Sequence, residues 1–120
     1  MKRLFVETTG FTSALAEIES GIAILSHIQK LLLENPQSGD VVPGSGGIRK
    51  IRIPDPTRNK GTRGGLRVLF LDLSDREVTY LLTIYGKDEK DDLSTADKKV
   101  LRHLVEILKS TPIKGVRSKK

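Results

Sequence analysis

Apolar residues change their period several times along this chain. Leu4, Phe5 and Val6 form a short run with enough β-propensity for an edge strand. From Phe11 the spacing lengthens. Phe11, Leu15, Ile18, Ile22, Leu25, Ile28 and Leu32 recur every three or four residues and predict one apolar helical stripe. Gly21 falls inside that stripe and predicts a bend or a split into two helices. Asn35-Pro36 ends it, because the residue before proline is pushed out of the helical region. Gln37 to Gly47 is rich in Gly, Pro and Ser and reads as turns.

The period then shortens to two. In Ile48 to Ile53, Ile51 and Ile53 share a face with Arg49, while Lys50 and Arg52 share the other with Ile48. Lys50 and Arg52 are therefore about 7 Å apart, two strand rises. Pro54 and Pro56 end this strand, and residues 55–65 form a cation-loaded loop. Leu66 to Leu73 is the most apolar strand, with Arg67 near its start. Ser74 to Glu77 is a hairpin turn, and Val78 to Tyr85 is the next strand, broken by Gly86. Simple alternation puts Tyr85 on the face of Thr83 and Leu81, opposite Ile84, Leu82 and Tyr80, with Tyr80 core-side. Ser94 with Asp97 three residues on resembles a capping box, with Asp in place of the usual Glu. It opens a last helix whose apolar face is Val100, Leu101, Leu104, Val105 and Leu108.

The order is β-α(-α)-β-β-β-α. Short connections between the last three strands predict an antiparallel meander. Helices on one face of that sheet give an α+β sandwich. At 120 residues one domain is expected, over 1–111, followed by a basic disordered tail over 112–120.

Charge changes the picture most. Between residues 49 and 67 the chain carries Arg49, Lys50, Arg52, Arg58, Lys60, Arg63 and Arg67 against a single acid, Asp55. The remaining basic and acidic residues are equal in number, so this segment accounts for the whole net charge of +6. A basic patch so concentrated points to a polyanionic partner, above all nucleic acid. The absence of cysteine removes disulfides and thiolate zinc sites, and suits a reducing cytoplasm. The apolar runs are too short to span a bilayer, and MKRLFVETTG lacks the apolar region of a signal peptide. The two histidines, His27 and His103, stand alone and read as surface or boundary residues. Asp88, Glu89, Asp91 and Asp92 do not have the spacing of an EF-hand and read as a solvated acidic loop. GTRGG lacks the spacing and the terminal Lys-Ser/Thr of a P-loop, and no nucleophile elbow is present.

Lys50, Arg52, Arg67 and Lys87 can converge on one sheet face if their strands are neighbours. Convergent cations hold a phosphate and stabilise the charge that builds up in a pentacoordinate transition state. RNA supplies its own nucleophile, the 2′-hydroxyl, so cleavage needs neither metal nor cysteine. Crowded cations also depress a lysine pKa and allow acid–base work near neutrality. Tyr85 could stack on a splayed base or share a proton, or simply pack. Arg58, Lys60 and Arg63 suit long-range phosphate binding, or a solvated loop. The competing reading of the strand cations is that they solvate an open sheet or bind phosphate passively.

The runs GDVVPGSGGIRKIRI, KGTRGGLRVLFLDL and YLLTIYGKDEKDDLS together resemble the RelE/HigB family of type II toxin–antitoxin toxins, in its HigB-like branch. The likeness covers roughly residues 4–108 and is most distinctive over Gly39 to Leu93. It implies the RelE-like fold, a small antiparallel sheet packed by helices. It also implies a cytoplasmic, ribosome-dependent, metal-independent mRNA endoribonuclease with no cofactor, leaving a 2′,3′-cyclic phosphate and a 5′-hydroxyl. Carried over residue by residue, the catalytic cations are Lys50, Arg52, Arg67 and Lys87, with Tyr85 beside them. Arg49, Arg58, Lys60 and Arg63 would bind RNA or ribosome. The implied partners are a cognate antitoxin, commonly a helix-turn-helix protein, the ribosome and mRNA. Operator DNA would be bound only through the antitoxin complex, and no membrane is involved. Relatives often carry arginine where this chain has Asp88, and some carry a tyrosine where it has Leu93 and Ser94. The group that moves the proton therefore stays open between Tyr85, Lys87 and Lys50. The alternatives are a non-catalytic RNA- or DNA-binding module and an inactivated toxin kept as a regulatory partner of an antitoxin.

Overall fold

The chain runs β1 (Leu4–Glu7), α1 (Thr9–Ala16), α2 (Gly21–Glu34), β2 (Asp40–Val41), β3 (Arg49–Ile53), β4 (Leu66–Leu73), β5 (Val78–Gly86) and α3 (Thr95–Ser110). This is the order in a computed structural model that describes residues 3–55, 65–86 and 93–110. One sheet has the order β1-β5-β4-β3-β2. The meander of β3, β4 and β5 is antiparallel as expected, with one 3-10 turn over Ser74–Arg76 in the hairpin. Two features were not expected. β2 adds a short antiparallel strand beside β3, and β1 joins the far edge parallel to β5, so the sheet is mixed. Among the described residues no helix is long and apolar enough to cross a membrane.

The helices do not lie on one face. α1 and α2 cover one side through Phe11, Ile24, Ile28 and Leu32, which pack with Ile51, Ile53, Val68, Phe70, Leu81 and Ile84. α3 covers the other through Val105, packed with Ile48, Leu69, Leu71, Tyr80, Leu82 and Tyr85. The cause is β4. Seven of its eight residues are buried, so both faces of the central strand need a cover.

The expected helical stretch splits before Gly21, where Ser20 adopts a left-handed conformation with φ 64°. The split resets the helical phase. Ile22, expected on the buried stripe, is 88% exposed and Ile24 is buried in its place, while Ile28 and Leu32 are buried as expected. On α3, Val105 is buried and Leu101, Leu104 and Leu108 are half-buried, whereas Val100 is largely exposed.

Three local devices place the elements around the site. Gly39 has φ +82°, and a Cβ there would stand 2.3 Å from the Lys50 carbonyl oxygen. Only glycine lets β2 approach β3 so closely. Arg49 donates to the carbonyls of Gln37 at 2.9 Å and Gly39 at 3.1 Å, which ties down the same turn. Gly65 does the equivalent job at the start of β4, where a Cβ would stand 2.1 Å from the Ile53 carbonyl oxygen and 3.1 Å from the Asp55 nitrogen. α3 begins with the expected capping box. The Asp97 N–H donates to the Ser94 hydroxyl at 3.0 Å, and the Ser94 N–H donates to the Asp97 carboxylate at 3.1 Å. At its other end, Arg76 donates to the carbonyls of Leu108 and Lys109, and Lys109 Nζ donates to the Gly46 carbonyl at 3.1 Å.

Candidate functional site

β3 and β4 pair so that Arg52 lies opposite Arg67, and β4 and β5 pair so that Arg67 lies opposite Tyr85. Opposed residues of an antiparallel ladder project to the same face. Arg52, Arg67 and Tyr85 thus make one transverse row over three neighbouring strands, on the side covered by α3. Neighbouring strands are about 4.8 Å apart, so the row spans roughly 10 Å between its outer Cα atoms. Lys50 occupies the next row of the same face, opposite Leu69. Alternation along β3 places Lys50 and Arg52 together, as the sequence predicts.

Tyr85 reaches this face by a route that simple alternation does not give. Leu69 pairs with Thr83 and Phe70 pairs with Leu81, so Leu82 is an extra residue in β5. This β-bulge shifts the parity of everything before it. Tyr80, Leu82 and Tyr85 consequently belong to one cluster, while Leu81 joins the opposite one. The expectation that Tyr85 faces away from Tyr80 and Leu82 is corrected on this ground. The bulge is held by Thr8, whose hydroxyl lies 3.1 Å from the carbonyl oxygens of both Leu81 and Leu82 and also caps α1 by accepting from the Phe11 N–H.

Burial divides the row. Arg67 is 4% exposed and Tyr85 7%, while Arg52 is exposed and Lys50 half-buried. A guanidinium withdrawn from water interacts more strongly with an anion than a solvated one does. Arg49 lies on the opposite face, with Ile51 and Ile53, and bonds the Gln37–Gly39 turn. It does not join the row. Arg58, Lys60, Arg63 and Lys87 fall outside the described residues, as do the acidic stretch 88–92 and the tail 112–120. His27 and His103 are both exposed.

A pocket of about 270 Å³ opens beside the row. It is lined by Asp40, Val41, Val42, Pro43, Lys50, Arg52 and Lys98. Lys98, in the first turn of α3, was not a candidate in the sequence. Nothing local marks it, because only the packing of α3 over β2 and β3 brings it there. A larger groove of about 680 Å³ runs on the other side of α3, between Val100, Leu101 and Leu104 and the β1–β5 edge. Near it, burial pushes the pKa of Tyr80 above its ordinary value of 10.0, an effect that the charge of Arg76 opposes.

No family model matches the sequence. Among solved structures the chain is similar to the free state of an arginine-to-alanine double mutant of the E. coli toxin RelE. The TM-score is 0.56 at 14% sequence identity, over 76% of this chain and 90% of that one. At that identity the similarity establishes the fold, which is RelE-like: an α+β arrangement of a five-stranded mixed sheet and three helices.

Proposed function

We propose that this chain is the toxin of a type II toxin–antitoxin system and cleaves mRNA at the ribosome. The observation that carries the reading is the transverse row of Arg52, Arg67 and Tyr85, with Lys50 beside it, on a RelE-like sheet. The solved neighbour is itself named as a toxin, and the HigB-like strand motifs of the sequence agree with that fold.

In the proposed reaction the substrate's 2′-oxygen bonds to the adjacent phosphorus as the P–O5′ bond breaks. A base takes the 2′-proton and an acid returns one to O5′. The products are a 2′,3′-cyclic phosphate and a 5′-hydroxyl. Arg67, withdrawn from water at the centre of the row, is assigned to the non-bridging oxygens, where charge accumulates in the transition state. Arg52 and Lys50 hold the strand's phosphates. Tyr85, Lys50 and Lys87 are the candidates for proton transfer. Arg58, Lys60 and Arg63 add a salt-sensitive, sequence-blind attraction to RNA, and Arg49 contributes charge from the opposite face. The reaction as written requires no metal or cofactor. The proposed partners are a cognate antitoxin of the helix-turn-helix kind, the ribosome and mRNA, in the cytoplasm, with operator DNA reached only through the antitoxin.

The test is induced expression in a bacterium with primer extension on a reporter mRNA, wild type beside Arg67→Ala. Growth arrest with in-frame cuts that vanish in the variant is the expected result. Normal growth with no new cuts would leave a protein that binds RNA without cleaving it, or an inactivated regulator.

A further inference from the structure

The pocket between β2, β3 and α3 gathers three cations from two separate parts of the chain. Lys50 and Arg52 come from β3, and Lys98 arrives from α3, nearly fifty residues later. One carboxylate, Asp40, shares the lining, so the pocket holds more positive than negative side chains. Bringing like charges together opposes folding, and a fold that does so needs an offsetting contact or an anion.

The position of Lys98 is fixed rather than incidental. It follows Asp97, whose carboxylate and N–H close the capping box with Ser94, and its own N–H donates to the Ser94 carbonyl at 3.0 Å. Its neighbours Asp97, Val100 and Leu101 line the groove on the β1–β5 side of α3, whereas Lys98 lines the pocket on the β2–β3 side. Lys98 is half-buried, which suits a long side chain laid along the wall with its ammonium at the mouth.

Size and offset indicate what the pocket takes. At about 270 Å³ it lies below the roughly 300–1,000 Å³ typical of whole small-molecule sites. It suits one sugar-phosphate unit. Arg67 and Tyr85 are not among its lining residues. The pocket therefore lies at the β2 end of the row, where Arg52 belongs to both. A single strand laid along the row would carry the phosphate next to the scissile one to that end.

We propose that Lys98 is a phosphate-binding residue of the site, acting with Lys50 and Arg52 on the RNA backbone phosphate next to the scissile one. The inference rests on the ribonuclease reading above and adds a helix residue to a site otherwise built from strands. Lys98 binds substrate and moves no proton.

The test measures binding of a labelled ten-nucleotide oligouridylate across a salt series, with primer extension on the same variants in cells. The proteins are wild type, Lys98→Ala, Lys98→Gln, Lys98→Arg and Lys99→Ala, with melting temperatures to verify folding. Loss of one phosphate contact should weaken binding roughly tenfold. It should also flatten the log–log salt slope by about 0.7, the single-strand value. Lys98→Gln should match Lys98→Ala, Lys98→Arg should restore binding, and Lys99→Ala should behave as wild type. Lys98→Ala binding like Lys99→Ala, with wild-type mRNA cuts intact, would overturn this inference and leave the ribonuclease reading standing. A wild type that neither binds the oligonucleotide nor cuts mRNA would overturn both.

Discussion

Arg52 stands directly across the β3–β4 ladder from Arg67, two cations in opposed positions on one sheet face. Opposite charges are the favoured occupants of such a pair, and like charges directly opposed cost about 0.2–1 kcal/mol. A local rule broken at the centre of a candidate site is a signature of function taking precedence over stability. Replacing Arg52 with threonine, a good strand residue, should raise stability by about that amount, read from chemical denaturation. The same change should reduce mRNA cleavage roughly tenfold, the scale of losing one phosphate contact. A variant that is both more stable and fully active would remove Arg52 from the site.

Gly39 gives a prediction of the opposite sign. Its φ of +82° and the 2.3 Å that an added Cβ would leave to the Lys50 carbonyl oxygen give no room for a side chain. Gly39→Ala should cost at least about 1–3 kcal/mol through strain and displaced pairing. It should also free β2 from β3, which would appear as faster amide exchange at Val42, whose N–H donates to the Ile48 carbonyl at 2.8 Å across that ladder. Unchanged exchange there would mean that β2 is held by something other than this close approach.

Ser20 occupies the left-handed region with φ 64°, is exposed, and makes no side-chain capping hydrogen bond. A non-glycine residue in that conformation carries roughly 1–2 kcal/mol of strain. Ser20→Gly relieves it at some cost in unfolded-state entropy, for a net gain of about 0.5–1 kcal/mol. The melting temperature should rise by a few degrees without change in RNA binding.

The pH dependence of stability should carry the mark of Tyr80. Its folded pKa is raised by burial above 10.0. Between the two pKa values the unfolded chain therefore holds fewer protons than the native one, and stability falls as pH rises. The contribution is complete below about pH 10 and is lost above it. Denaturation from pH 8 to 11.5 should show this alkaline decline, and Tyr80→Phe should make it shallower.

Part of the candidate site's geometry was legible in the chain because period-two alternation depends on backbone geometry alone. Lys50 and Arg52 share a face for that reason, and the Ser94–Asp97 box announced the start of α3 at short range. What escaped had no local signal. Asp40 and Val41 are both exposed, so β2 shows no burial pattern and exists through its backbone pairing. The bulge at Leu82 hides inside an unbroken apolar run, where an inserted leucine looks like any other. The two-sided cover of the sheet was available in LRVLFLDL, whose continuous apolarity does not fit one wet face. Lys98 depends wholly on how a distant helix docks.

The glycine at the foot of β4 has a wider consequence. With Gly65 pressed against Ile53, Pro54 and Asp55, the chain leaves the sheet and re-enters it at one narrow point. Closing a loop on such a neck depends only weakly on its length. The pairing of Arg52 with Arg67 is therefore set by contacts at the foot of the two strands themselves. The hairpin is clasped at its own base, so the spacing of the two arginines is a property of the sheet.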